Sequence, residues 1–254
     1  EANGVLRRLA AGRDVGPDAL SAAADAAARS GQYPVAIELR NIVSRKSPAD
    51  IDNRLEMARL VALSGNPVGA MTGFVDVVAD ERAANRLRAQ AVDLAVEIAT
   101  ADSSARSAAL ARVSSGRTEP ERVLAARLLA VAGDVDGARR GLESILAGGA
   151  SPFAALELGR LELGANRSAE AARAFELSIA AESSGDLGSS IAFGGPTPIN
   201  GLIRAYVGAG RLDAALKLAE SRPGTYQSDA DEETDGQLVF EPDIVEARVA
   251  TGLA

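Results

Sequence analysis

Residues 152–181 read PFAALELGRLELGANRSAEAARAFELSIAA, and the reading of that stretch decides the fold. It breaks at Ala165-Asn166-Arg167 into two apolar-rich segments of helical spacing. Asn166 suits the end of a helix, where the chain passes through the left-handed region that Gly tolerates freely and Asn fairly well. Pro152 opens the first segment, where the missing N–H of proline costs nothing, and Ser151 before it is a good N-cap. Ala171, five residues after Asn166, is small enough to let two helices close on each other. Phe175, nine residues after it, is large enough to fill a seam with the element that follows.

Outward from this stretch the same punctuation recurs, a sign of an internal repeat. Turns of the same kind lie at Ser30-Gly31-Gln32, Ser64-Gly65-Asn66, Ala132-Gly133-Asp134 and Ala209-Gly210-Arg211. Gly31 to Gly65 is 34 residues, Gly65 to Gly133 is 68, and Gly133 to Asn166 is 33. The last step, to Gly210, is 44, which places about ten inserted residues before it. Ala36, Ala70, Ala138 and Ala215 repeat the phase of Ala171, and Phe74 and Leu142 repeat that of Phe175. Arg40 and Ala219 stand at that second phase instead of a large apolar residue. Pro17 and Pro196 share with Pro152 a place 14 residues before their turn, and Thr118 with Glu121 reads as a capping box. The phase predicts six helix pairs near 17–46, 51–79, 83–114, 119–147, 152–181 and 196–221. The third is degenerate, with Ala99 where a Gly is expected.

Leu158-Gly159, Ala171 and Phe175, then Leu202, Tyr206, Gly210 and Ala215, with Pro48 as a closing proline, resemble the tetratricopeptide repeat family. The likeness covers roughly residues 17–221 and identifies a divergent bacterial member that lacks the usual Trp. It implies an all-α, right-handed α-solenoid whose first helices line a concave groove, each repeat touching only its neighbours. It also implies a scaffold or assembly factor that binds a partner protein or peptide there.

Composition agrees with closely packed, thin helices. Hydrophobic residues make up 47% of the chain but aromatics only 3%, so much of the core falls to alanine, the best helix former. The net charge of −8 and a pI near 4.8 argue against nucleic acid and anionic membranes as partners. No apolar run reaches the roughly 20 residues that span a bilayer. Without cysteine or histidine, no Ser-His-Asp triad, Cys-His dyad or His/Cys metal site can be built. The chain is therefore read as a non-enzyme with no cofactor. A carboxylate-dependent enzyme on a helical-repeat scaffold stays open as an alternative, as does an RNA-binding helical repeat. Lys46 and Lys217 are the only lysines, which fits a GC-rich bacterial genome. The start at Glu1 and the missing cysteines tip the expected compartment toward the periplasm and the cell envelope.

The residue six before each turn faces the groove by the resemblance. In chain order these are Asp25, Arg59, Asp93, Arg127, Arg160 and Arg204. The four arginines form a register suited to bidentate contact with an acidic segment or a free C-terminus. Asn200, on the same helix as Arg204, joins the candidate partner-binding residues. The other reading of these arginines is local pairing with Glu56 and Glu157, three residues back.

Outside the six pairs, residues 1–16 are expected as a capping helix, 223–241 as an acidic linker and 242–254 as a C-terminal helical cap. The insertion 183–195 offers Ile191 and Phe193 as loop contacts. Asp231, Glu233, Asp235 and Gly236 echo a calcium loop, but the required bidentate Glu is replaced by Pro242.

Overall fold

Gly31, Gly65, Gly133 and Gly210 have φ of 71°, 88°, 90° and 72°, and Asn166 has φ of 58°, so all five turn residues read from the sequence adopt the left-handed conformation. In this computed structural model, residues 15–182 and 197–221 are described. Among them are twelve α-helices and no strand. In chain order they are α1 (Pro17–Arg29), α2 (Tyr33–Lys46), α3 (Ile51–Leu63), α4 (Pro67–Ala79), α5 (Asn85–Ala101), α6 (Ser103–Val113), α7 (Glu119–Val131), α8 (Val135–Ala147), α9 (Pro152–Gly164), α10 (Ser168–Glu182), α11 (Pro198–Gly208) and α12 (Leu212–Glu220). Residues 1–14, 183–196 and 222–254 lie outside the description, and with them the capping helix, Ile191, Phe193, the acidic linker, the calcium-like loop and the C-terminal cap.

The described residues divide into two compact units, one ending at Gly141 and the other beginning at Leu142, inside α8. In the first unit, the first helices α3, α5 and α7 pack neighbour to neighbour, as do the second helices α4 and α6. Each of α2, α4 and α6 also packs on the first helix of the next pair. In the second unit, α9 packs on α10 and α11, α10 on α11, and α11 on α12. Each unit is an all-α run of helix-turn-helix repeats of the tetratricopeptide, α-solenoid type.

Close approach inside the pairs depends on small residues. Ala36, Ala70, Ala138, Ala171 and Ala215 are all fully buried. A Cβ on Gly73 of α4 would stand 2.6 Å from Cβ of Ala58 on α3, so that hairpin closes only because position 73 has no side chain. Among the described residues, Phe74 and Phe175 are the largest fully buried side chains. Caps set the starts: Ala154 N–H donates to Ser151 Oγ at 3.0 Å, and Thr118 with Glu121 forms the reciprocal capping box. Partial burial pushes the Glu121 carboxyl up, but hydrogen bonds from the Thr118 N–H and hydroxyl outweigh that and hold it below its usual value.

Two details correct the sequence reading. The last pair opens at Pro198 rather than Pro196, because Thr197 is the N-cap and its hydroxyl accepts from Asn200 N–H at 3.3 Å. In the third pair the turn moves from Ala99 to Asp102. Without a Gly, α5 runs on to Ala101, and extended Asp102 ends it and starts α6, its carboxylate accepting from Ala105 N–H at 2.7 Å. The entry to that pair is pinned by Asp80, whose carboxylate receives Arg82 and Arg54 while its carbonyl accepts from Arg88 at 3.0 Å. Arg82, then Arg54, hold the Asp80 carboxyl far below the usual carboxylate range.

Candidate partner-binding face

The six register positions each lie on a first helix and all are charged; five stand six residues before the observed turn, and Asp93 stands nine before Asp102. In the first unit, Asp25 on α1 accepts from Arg40, which rises from α2. Arg59 on α3 is the most open of the set there: 53% of its side chain is exposed, and its nearest carboxylate, Glu56, lies 3.9 Å away. Asp93 on α5 and Arg127 on α7 form a partly buried ion pair with each other. Their 34-residue separation is one repeat, so the stack of first helices itself brings them together.

In the second unit, Arg160 on α9 donates to Glu157 Oε1 at 2.7 Å, and Glu157 is buried. Arg204 on α11 is exposed. Asn200, one turn earlier, is half-buried, and its Oδ1 accepts no hydrogen bond. The register is thus not a row of like charges. Arg127 and Arg160 each neutralise a carboxylate of the protein, and Arg59 and Arg204 are the exposed arginines of the set.

Polar residues outside that register complete the picture. Arg40 is buried, with 7% of its surface exposed. Its Nη1 donates to Asn53 Oδ1 at 3.3 Å, and Asn53 Nδ2 donates to the Arg40 carbonyl at 3.1 Å and to Ser44 Oγ at 2.8 Å. Asn53, on α3, is almost wholly buried. The sequence signal for this cluster is Arg40 itself, at the phase where Phe74, Leu142 and Phe175 stand; nothing local points to Asn53. Near the end of the second unit, Tyr206 Oη donates to Glu176 Oε1 at 2.8 Å and the Arg211 guanidinium lies 4.1 Å from the Tyr206 ring centroid. Burial, then the Glu176 carboxylate, push the Tyr206 hydroxyl above its usual value.

Among the described residues no cluster of acidic side chains could hold a metal ion, and no helix is long and apolar enough to cross a membrane.

The described residues form a helical-repeat fold of the tetratricopeptide type. No family model matches the chain, and no curated relative does. Among solved structures it is similar to TTC0263, a thermophilic TPR protein in Thermus thermophilus, at 17% identity over 66% of this chain and 92% of that one, with a TM-score of 0.42. It is similar to PilW, a widely conserved type IV pilus biogenesis factor, at 14% identity over 81% of this chain and 91% of that one, with a TM-score of 0.42. A tetratricopeptide repeat protein from Parabacteroides merdae matches at 15% identity over 80% of this chain and 77% of its own length, again with a TM-score of 0.42.

Proposed function

We propose that the chain is a non-enzymatic interaction scaffold whose first-helix layer holds a partner protein or peptide. The observation that carries this reading is the register itself. One position per first helix, repeated through six pairs, is charged every time, although alanine dominates the composition around it. Four of the six, Asp25, Asp93, Arg127 and Arg160, pair with charges of the fold, and the exposed Arg59 and Arg204 are the ones a partner would meet.

In the first unit the contacts are Arg59, with the Asp93–Arg127 pair beyond it. In the second unit they are Arg160, Arg204 and Asn200. A partner with an acidic segment or a free C-terminal carboxylate fits Arg59 and Arg204 best, because these are the exposed arginines of the register and a guanidinium can meet a carboxylate with two charge-assisted hydrogen bonds.

Site-specific photocrosslinking tests this. A photoreactive residue at position 59 or 204 is compared with one at Arg45 or Lys217, which are exposed on second helices. The proposal expects partner adducts from 59 in the first unit and from 204 in the second, and none from 45 or 217. Equal adducts from all four positions, or adducts from the second helices alone, would place the partner elsewhere.

A further inference from the structure

Phe175 shows what the position nine residues after the turn does in a filled seam. Its ring lies so close to α9 and α11 that a Cβ on Gly159 would stand 2.7 Å from ring atom Cδ1, and one on Gly201 2.8 Å from Cε2. Bare backbone on both flanking helices makes room for one buried ring. At the seam between α2 and α3 the same position holds the Arg40 guanidinium. There the filler is a polar cluster of Arg40, Asn53 and Ser44, and the Arg40 Nε, buried, has no hydrogen-bond partner. The carboxylate that balances the buried guanidinium, Asp25, has 49% of its side chain exposed.

The pair α1–α2 also has a core of its own. Leu20, Ala24, Leu39 and Val43 form one buried cluster within those two helices. Across to α3, Leu60 joins Ala27 and Ala36 in a smaller buried cluster, with Ala28, Tyr33, Val35 and Ile37 packed against it. In a stacked-repeat protein, stability is a sum of intrinsic repeat terms and neighbour interfaces. The polar part of such an interface gains little over hydration, since every one of its groups recovers water on opening. An interface filled by a ring loses the whole hydrophobic contribution when it opens.

We infer that the α2–α3 seam is a built-in weak joint, at which residues 17–46 unlatch from α3 as one unit, with Asp25 as the latch that holds Arg40 closed. A partner cation that takes the exposed Asp25 carboxylate leaves Arg40 buried and unbalanced, and so shifts the joint toward its open form. This couples occupancy near α1 to the order of α1 and α2.

Native-state hydrogen exchange on the full chain tests the joint. In the wild type, slow amides across 17–46 are expected to share one opening constant, at least tenfold larger than that of the α4 amides. Ordinary end fraying would instead give protection graded from Pro17 inward. Arg40→Leu is expected to raise protection across 17–46 about tenfold, and Asp25→Asn to lower it about tenfold with α4 unchanged. One common opening constant for 17–79 in the wild type, or graded protection along α1 and α2, overturns the inference without need of any variant. So does a fall in protection in Arg40→Leu.

Discussion

Phe175 and Arg40 occupy the same place in their repeats, nine residues after the turn, and solve the same packing problem in opposite ways. Phe175 fills its seam with a ring, and two glycines give up their side chains to admit it. Arg40 fills its seam with a guanidinium that needs specific partners: Asn53 on the far helix, and Asp25 on its own pair. The ring is indifferent to chemistry and demanding of space. The guanidinium is demanding of partners and costly without them. The comparison teaches that period and helix phase are kept by the backbone and by small residues, while the filler of each seam is free to carry another property.

The largest effect should come from emptying the apolar seam. Phe175→Ala is expected to destabilise by about 3–5 kcal/mol, the usual range for a buried aromatic replaced by Ala. Urea unfolding measures it, and a loss under ~1 kcal/mol, well below that range, would mean the ring is not the filler. Crowding the same seam comes next. Gly159→Ala should cost roughly 1–3 kcal/mol by overpacking against the ring, despite the better helix propensity of Ala. Its control is Gly164→Ala, at the end of the same helix with nothing within 4 Å of the added Cβ; there the propensity gain of up to ~1 kcal/mol should appear instead. In the polar seam, Asp25→Ala leaves a buried donor unsatisfied and should cost roughly 1–3 kcal/mol, with Arg40→Leu/Asp25→Ala recovering part of it. If the double substitution were no better than Asp25→Ala alone, the two residues would not act as a pair.

The smallest effects are electrostatic and at caps. Unfolded aspartate takes up its proton near pH ~3.9, whereas folded Asp80, held by Arg82 and then Arg54, stays ionised to lower pH. Its contribution is therefore whole above pH ~4 and is lost as pH falls through the folded value. Thermal unfolding of Asp80→Asn should be less acid-sensitive than wild type; parallel pH profiles would contradict this. Thr118→Ala should cost about 1 kcal/mol through the lost cap.

Much of the fold was legible because its demands are local. A left-handed turn calls for Gly or Asn, a close helix approach calls for Ala or Gly, and a helix start calls for Ser, Thr or Pro. Each leaves a mark at one residue, which is why the turns at Gly31, Gly65, Gly133, Asn166 and Gly210 could be read directly. Where two signals competed, the reading slipped: Pro196 and Pro198 both fit a helix start, and the Thr197 cap decides between them. Asp102 replaced a glycine turn with an extended residue and a cap, a substitution that the period alone does not announce.

The face was less legible because ion pairs are made in three dimensions. Arg127 read as a basic groove residue, yet its counter-charge Asp93 stood in the same register one repeat earlier. Opposite charges one period apart, on helices that stack side by side, are the signal to look for. Asn53 left no signal, being a polar residue on a first helix like several others. These pairings also change which substitutions are informative. Arg127→Glu or Arg160→Glu would set like charges against Asp93 or Glu157 and disturb the fold, so a lost interaction there could not be assigned to the face.

The most direct test of the scaffold is therefore the affinity of the crosslinked partner for Arg59→Glu and Arg204→Glu, with helicity checked by circular dichroism. A first-helix binding face predicts a loss of at least tenfold with unchanged helicity. Undiminished affinity in both variants would contradict it.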